Sequence, residues 1–103
     1  MEKDVMKSIQ VNELAKKIRQ CQHINIIDVR EEIEVAAGKI PEAKHIPLGE
    51  LADSLEKLDK NEHYYLVCHS GGRSSTACDF LTEQGYDVIN ITGGMMAWQG
   101  EIE

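Results

Sequence analysis

The chain has 103 residues, and its 11 lysines and arginines against 18 aspartates and glutamates give a formal net charge of −7. This length fits one domain spanning residues 1–103, with a core expected at about residues 9–99. The 42% of hydrophobic and 28% of charged residues are ordinary for a folded globular protein and argue against disordered and fibrous classes. The acidic balance argues against nucleic acid and anionic membrane surfaces as partners.

The three cysteines, Cys21, Cys68 and Cys78, are an odd number without a Cys-x-x-Cys pair. This pattern supplies neither a disulfide framework nor a structural zinc site, so we expect no bound metal. The amino-terminal MEKDVMKSIQ has no continuous apolar stretch, and no segment approaches the roughly 18–20 apolar residues of a membrane span. We therefore expect no signal peptide and no membrane anchor, and a reducing cytoplasm in which thiols stay free.

The first half of the chain alternates helical and strand patterns, after a polar amino terminus that we expect to fray. Apolar residues recur at helical spacing from Val11 to Cys21, and the β-branched run from Ile24 to Val29 is typical of a buried parallel strand. Gly38 ends the next predicted helix. The predicted elements are a helix at 11–21, a strand at 24–29, a helix at 30–37, a strand at 43–46 and helical turns at 48–58.

The second half repeats the alternation more clearly. The predicted elements are a strand at 63–68, a helix at 73–84, a strand at 86–91, a tight turn at Gly93–Gly94 and a short helix at 95–98. Strands that alternate with helices predict an α/β fold with a central, mostly parallel β-sheet flanked by helices on both faces.

The candidate active site is the loop Cys68-His69-Ser70-Gly71-Gly72-Arg73-Ser74, which joins a predicted strand to a predicted helix. Ligands of such sheets bind at the carboxyl ends of strands, near helix amino termini. Glycines allow backbone conformations closed to other residues, so the N–H groups from His69 to Ser74 can converge on an anion. The helix terminus and Arg73 add positive charge. Each factor favours a thiolate and predicts a nucleophilic Cys68 with a lowered pKa.

The spacing within this loop narrows the chemistry. Four residues separate Cys68 from Arg73, whereas the cysteine phosphatases place five residues between cysteine and arginine in a related loop. We expect the shorter ring to hold something smaller than a phosphate ester, such as a single sulfur atom carried on the thiol. Two alternatives stand beside this interpretation. Cys68 can be a buried thiol in an ordinary turn, or the chain can be a phosphatase or arsenate reductase, which the short loop disfavours.

Several separate motifs carry a family resemblance. They are Ile27-Asp28-Val29-Arg30-Glu31 with Glu34, Gly38-x-Ile40-Pro41-x-Ala43, Ile46-Pro47-Leu48, the run from Leu66 to Ser74, the run from Leu81 to Gly85-Tyr86, and Gly93-Gly94-Met95-x-Ala97-Trp98. With these motifs in this order, from about Ile9 to Gln99, the chain resembles the single-domain rhodaneses, a family of thiosulfate sulfurtransferase-like proteins. Several motifs in the correct order are more specific than the loop alone.

The resemblance implies a sulfurtransferase without metal or organic cofactor. Cys68 would take the sulfane sulfur of a donor such as thiosulfate or a persulfide, become a persulfide, and pass the sulfur to a thiol or cyanide acceptor. His69, Ser70, Gly71, Gly72, Arg73 and Ser74 would bind the substrate, with Arg73 holding the loop and the anionic donor. A protein sulfur donor or acceptor is a further possible partner. The alternative is a persulfide carrier or regulatory interaction module with little thiosulfate turnover.

Residues outside the loop receive less specific predictions. Asp28 and Arg30 match the family's Asp-x-Arg motif, which implies that they brace the chain near the loop; an ordinary Arg30–Glu34 helix pair is the alternative. Glu31, Glu32 and Glu34 form an acidic cluster. We expect this cluster to be a solvated face. His69 could assist a proton transfer, although a neighbour on a curled loop often points away from the nucleophile.

The two other cysteines are predicted to have no catalytic role. Cys78 shares the buried helix face with Ala77 and Leu81 and is expected to be inert, and Cys21 is expected to be an incidental thiol. Three positions depart from the family pattern where histidine, glycine and asparagine are usual. These are Lys39, Glu42 and His45. We expect them to affect local structure rather than sulfur chemistry.

Overall fold

Five short parallel strands form one sheet in the order β1-β5-β4-β2-β3 in the computed structural model, which describes residues 7–20 and 22–103. The strands are β1 (Ser8–Gln10), β2 (Ile26–Asp28), β3 (Ala43–His45), β4 (His63–Val67) and β5 (Asp87–Thr92). The helices are α1 (Val11–Arg19), α2 (Glu32–Ala36), α3 (Gly72–Glu83) and α4 (Gly94–Ala97), and two 3₁₀ segments cover Leu48–Glu50 and Ala52–Lys57. The predicted α/β fold with a mostly parallel sheet is confirmed.

The central strand of the sheet is β4. It pairs with β2, where Asp28 lies opposite Val67, and with β5, where Leu66 lies opposite Asn90. The chain moves outward to β3 after β2 and in the opposite direction to β5 after β4. The carboxyl end of β4 therefore lies where the strand order reverses, which is the usual ligand position in open α/β sheets.

Both faces of the sheet are covered, since successive strand residues point to opposite sides. On one face, α3 and the 3₁₀ segments pack over strand residues such as Ile27 and Leu66. On the other face, α1 and α4 cover Ile26 and Val67, with Leu14 and Trp98 among the packed side chains. Burying apolar area at about 25 cal/mol per Å² makes these two layers the main source of stability.

The observed elements differ from the sequence predictions in three places. Strand β1 was not predicted, because Ser8–Gln10 has no strand pattern of its own and is extended through pairing with β5. Helix α2 is only five residues long, shorter than the predicted 30–37. The leucine-rich turns form 3₁₀ rather than α-helix. The remaining predicted elements agree to within two residues, apart from the amino-terminal helix, whose predicted end at Cys21 lies outside the described residues.

Within residues 7–20 and 22–103, no helix combines the length and the apolar character needed to span a membrane.

Candidate active site

Cys68 directly follows β4, and four residues later the chain has already entered α3, which begins at Gly72. The Cys68 residue is 1% exposed, so the thiol lies beneath the loop rather than on its outer surface. Of the following residues, His69, Ser70 and Gly72 are exposed, while Ser74 in the first turn of α3 is buried. The loop thus has an exposed rim of His69, Ser70 and Gly72 above the buried Cys68 and Ser74, with Gly71 and Arg73 half-buried between them.

Helix α4 holds the loop in its curled form. The amides of Met95 and Met96 donate to the carbonyl oxygens of Cys68 and His69, each at 2.8 Å. In a trans peptide, the carbonyl and the following N–H point in opposite directions. Because these two carbonyls face α4, the amides of His69 and Ser70 are turned away from α4. The sequence motif Gly93–Gly94 begins α4 and thereby places these two amides against the loop.

Gly94 is required by close approach to the loop. Its φ is +57°, and a Cβ at this position would lie 2.4 Å from the Cys68 carbonyl oxygen and 2.7 Å from that of His69. Both neighbours are backbone atoms, so neither can move aside without changing the loop. A residue without a side chain is therefore needed where α4 meets the loop.

A backbone amide and a hydroxyl are among the groups that donate hydrogen bonds to the Cys68 sulfur. The Gly71 amide lies 3.0 Å from Sγ, and the Ser74 hydroxyl oxygen lies 3.4 Å from it. Gly71 has a φ of +111°, a left-handed conformation that favours glycine, and it forms the N-cap of α3. The turn at Gly71 thus directs its amide back towards the sulfur.

These donors change the acidity of Cys68. Burial opposes ionisation of the thiol, but hydrogen bonds from the Ser74 hydroxyl and from the amides of Ser74, Gly71 and Ser70 outweigh it. The pKa of Cys68 is therefore lowered, as the sequence predicted. Charge–charge interaction with Cys68 in turn favours the protonated Arg73. The hydrogen bonds of the loop are the main cause of the favoured thiolate.

Arg73 forms an ion pair with a carboxylate and is therefore not an isolated cation in the loop. Its two terminal nitrogens donate to the two oxygens of Glu34 in α2, at 2.7 and 2.8 Å. This ion pair lowers the pKa of Glu34 from 4.5 to about 2 and raises that of Arg73. The prediction of a solvated acidic face was wrong for Glu34, because its partner is 39 positions away in the sequence.

Asp28 and Arg30 form a buried ion pair beside the end of β4. Nε of Arg30 lies 2.9 Å from Oδ1 of Asp28, and Nη2 lies 2.8 Å from Oδ2. Nη2 also donates to the Gly38 carbonyl oxygen at 2.8 Å. The alternative Arg30–Glu34 helix pair is wrong: Arg30 contacts only the backbone carbonyl of Glu34, at 3.5 Å, while the Glu34 carboxylate binds Arg73.

Two of the three departures from the family pattern have local structural contacts. Lys39 donates to backbone carbonyl oxygens at the start of β3, including that of Ala43 at 2.9 Å. The Nε2 atom of His45 lies 2.7 Å from the Arg30 carbonyl oxygen. The His45 contact connects β3 to the segment before α2, and the Lys39 contact connects β3 to the segment after α2.

Cys78 lies in α3, fully buried in the core that covers one face of the sheet. Burial, and to a smaller extent the charge of Asp79, raises the pKa of Cys78 from 9.0 to about 12. A thiol with a raised pKa is a poor nucleophile. Cys21 lies outside the described residues. In the part of the chain that the structure describes, no three His, Cys, Asp or Glu side chains are grouped so as to hold a metal ion.

Asn90 of β5 is a part of the site that sequence reasoning missed. Its Oδ1 accepts a hydrogen bond from the Ser74 hydroxyl, and its Nδ2 lies 3.5 Å from the Gly71 carbonyl oxygen. The available signal was a polar side chain in the apolar strand Val88–Ile91, two residues before the strand ends.

Fold and site together define a parallel α/β domain with a hydrogen-bonded cysteine at the carboxyl end of its central strand. The sequence profile of the family described as "Rhodanese-like domain" matches residues 10–101 of this chain. The crystal structure of a rhodanese-like domain protein from Staphylococcus aureus superimposes with a TM-score of 0.91 at 43% identity, covering 95% of this chain and 97% of that one.

Proteins with similar sequences include several that are named for sulfur transfer. The chain is 46% identical over 96 residues to "Putative sulfurtransferase YtwF" of Bacillus subtilis, covering 93% of both proteins. It is 31% identical over 88 residues to "Thiosulfate sulfurtransferase GlpE" of Pseudomonas putida, covering 84% of this chain and 80% of that protein. It is also 38% identical to "Putative sulfur carrier protein YrkF" of Bacillus subtilis, covering 92% of this chain and 52% of that longer protein. The chain belongs to the rhodanese-like domain family, a family of sulfurtransferases.

Proposed function

We propose that this chain transfers a sulfane sulfur from thiosulfate or a persulfide to a thiophilic acceptor, through a persulfide on Cys68. The observation that carries the proposal is the Cys68 sulfur at the end of β4, with the Gly71 amide at 3.0 Å and a lowered pKa. A thiolate is the form of cysteine that attacks sulfur. The relative named as a thiosulfate sulfurtransferase supports thiosulfate as the donor.

The proposed reaction has two steps. The Cys68 thiolate attacks the outer sulfur of thiosulfate, a new S–S bond forms, and the S–S bond of thiosulfate breaks, so that sulfite leaves with the electron pair. An acceptor then attacks the outer sulfur of the persulfide, and the electron pair returns to Cys68. With cyanide the product is thiocyanate, and with a thiolate it is the acceptor's own persulfide.

Each part of the loop has a role in this proposal. The amides of Ser70, Gly71 and Ser74 stabilise the anionic sulfur before and after loading, as preorganised donors stabilise developing charge. The exposed rim formed by His69, Ser70 and Gly72 meets the donor and the acceptor. Arg73 holds the loop against α2 through Glu34, and the ion pair of Asp28 and Arg30 supports the chain next to β4. A reducing cytoplasm is the proposed setting because it keeps Cys68 available as a thiol.

The carrier function is a second candidate, and the relative named as a sulfur carrier protein favours it. A carrier would load sulfur on Cys68 from a protein donor and release it to a protein acceptor. The net charge of −7 disfavours close approach of free anionic donors at low ionic strength, which fits a protein-borne donor.

Mass spectrometry of the protein after thiosulfate treatment tests the proposal. We expect the mass of one added sulfur atom in the wild type and in Cys78→Ala, and no addition in Cys68→Ser. An adduct retained in Cys68→Ser would overturn the assignment of Cys68. Steady-state thiocyanate formation then separates the candidates, since an enzyme turns over many times whereas a carrier forms the adduct with negligible turnover.

A further inference from the structure

The Ser74 hydroxyl is surrounded by three hydrogen-bond acceptors. Its oxygen lies 3.4 Å from the Cys68 sulfur, 3.2 Å from the Gly71 carbonyl oxygen, and in short contact with Oδ1 of Asn90. A hydroxyl carries one hydrogen and can fully serve only one of these acceptors at a time. The direction of this hydrogen therefore decides whether the sulfur receives a side-chain hydrogen bond.

The Gly71 carbonyl is the weakest competitor for this hydrogen. It already accepts from the Ser75 amide within α3, at 3.0 Å. The choice for the Ser74 hydrogen thus lies mainly between the Cys68 sulfur and Asn90, since a buried acceptor that is already paired gains least from another donor.

The carboxamide of Asn90 can meet Ser74 with either end. One end accepts hydrogen bonds and the other donates them, and the two ends have nearly the same shape. With Oδ1 towards Ser74, Asn90 takes the Ser74 hydrogen. With Nδ2 towards Ser74, Asn90 donates to the Ser74 oxygen and leaves the Ser74 hydrogen for the sulfur. The half-turn replaces the contact of Nδ2 with the Gly71 carbonyl oxygen, which is 3.5 Å long, by Oδ1 facing that oxygen. At this length the repulsion between the two oxygens is weaker than the bond gained by a charged sulfur.

The charge of the sulfur selects between these two arrangements. A neutral thiol can donate its hydrogen to the Ser74 oxygen, which then donates to Oδ1 of Asn90. A thiolate or an anionic persulfide can only accept, so it draws the Ser74 hydrogen to itself, and charged acceptors form the stronger bonds. The Ser74 oxygen then presents only lone pairs to Asn90, and Oδ1 in short contact with it would be repelled.

We propose that Asn90 is a positioning residue for the Cys68 sulfur, whose carboxamide turns from accepting to donating towards Ser74 when the sulfur becomes anionic. Asn90 acts through the Ser74 hydroxyl and contacts no substrate. The turn breaks no covalent bond and transfers no proton to Asn90. The proposal rests on the proposed function only in taking Cys68 as the reacting group.

Other titratable groups around Cys68 remain in place when Asn90 is replaced. They are His69 in the loop, Arg73 and Cys78 in α3, Glu34 in α2, and Glu31 just before α2, which acts on Arg73. Neutral replacements of Asn90 and Ser74 leave these groups unchanged. A change in Cys68 reactivity in such variants therefore reports on the hydrogen-bond chain and not on a charged neighbour.

The experiment is the pH dependence of Cys68 alkylation by iodoacetamide, followed by mass spectrometry, in a double-mutant cycle of Asn90→Leu and Ser74→Ala. Leucine has nearly the shape of asparagine but neither donates nor accepts. Ser74→Ala is expected to slow alkylation below the thiol pKa by roughly two- to tenfold, the effect of about one hydrogen bond. Asn90→Leu is expected to slow it by less, because Asn90 bonds Ser74 in both states and this bond is the stronger one when the sulfur is charged. The double variant is expected to match Ser74→Ala, because Asn90 acts only through Ser74.

Asn25→Leu is the matched control, since Asn25 lies at the opposite end of the sheet and donates to Glu62 and to the His63 carbonyl. It should alkylate at the wild-type rate. Should Asn90→Leu fail to fold, Asn90→Ala removes the carboxamide without adding bulk or charge, and it should slow alkylation in the same direction as the leucine variant. Its effect should be smaller when Ser74 is already alanine.

An unchanged or faster rate in Asn90→Leu would overturn the proposal, as would effects that multiply in the double variant. Alkylation requires no sulfur donor. Failure of thiosulfate to load Cys68 would therefore count against the proposed function and leave this result intact.

Discussion

Arg73 and Glu34 form a two-pronged ion pair that ties the start of α3 to α2, across 39 positions of sequence. The Glu34 side chain is 29% exposed and that of Arg73 34% exposed, so the pair lies at the edge of the loop and not in the core. Its geometry is the parallel arrangement that a guanidinium makes and an ammonium does not. The loop around Cys68 is therefore held from two sides, by α4 through backbone amides and by α2 through this pair.

Replacing Glu34 with glutamine tests the stabilising effect of this pair. At neutral pH we expect Glu34→Gln to lower the free energy of unfolding by about 0.5–1 kcal/mol, as for a partly exposed ion pair. Because folding lowers the Glu34 pKa from 4.5 to about 2, the stabilisation is present above pH 4.5 and is lost as the pH falls towards 2. Urea unfolding at several pH values should show the two proteins converging in acid.

Glu32→Gln is the control for the Glu34 experiment, because Glu32 is an exposed residue of the same helix. It should change the unfolding free energy little at any pH. A stability difference between wild type and Glu34→Gln that stays constant from neutral pH into acid would contradict the ion-pair explanation.

The buried pair of Asp28 and Arg30 predicts a larger effect. Asp28 is 0% exposed and Arg30 5% exposed, so Arg30→Leu leaves a carboxylate without its partner in the interior. We expect a loss of about 3–5 kcal/mol in unfolding free energy, measured by denaturant titration. Asp28→Asn combined with Arg30→Leu should cost less than Arg30→Leu alone, since the double variant leaves no buried charge. A double variant less stable than Arg30→Leu would show that unpaired charge is not the cause.

Gly94→Ala probes the contact between α4 and the loop. The added Cβ would lie 2.4 Å from the Cys68 carbonyl oxygen, and the backbone is left-handed at this position. We expect a loss of roughly 1–3 kcal/mol in stability, with slower alkylation of Cys68 because the loop must shift. Gly49→Ala is the control, because a Cβ there meets nothing within 4 Å. Equal effects of the two substitutions on Cys68 alkylation would refute a specific role for Gly94.

The parts of the site that the sequence predicted are those encoded by neighbouring residues. The segment from β4 to α3 combines an apolar strand, two glycines and a helical pattern, and the structure places it within one residue of the prediction. Strand β1, the contacts of α4 with the loop carbonyls and the partner of Arg73 depend on distant parts of the chain. Ser8 is extended because it pairs with Asn90, and Glu34 is bound because α2 packs near the start of α3. No local pattern encodes such pairings, and tertiary contacts override local preference.

The two described cysteines should differ in their reactivity towards iodoacetamide. Iodoacetamide should modify Cys68 in the folded protein, since its pKa is lowered, and should leave Cys78 unmodified until urea is added. Cys78→Ala should cost about 1 kcal/mol at neutral pH by leaving a small cavity.

Folding raises the Cys78 pKa from 9.0 to about 12, so its neutral burial favours the native state below pH 9 and that advantage is lost as the pH rises towards 12. The stability of Cys78→Ala should therefore approach, and then exceed, that of the wild type as the pH increases above 9. Urea unfolding at a series of alkaline pH values measures this. A wild-type advantage that persists unchanged in alkali would mean that Cys78 is not held neutral by burial, and alkylation of Cys78 in the folded protein would point the same way.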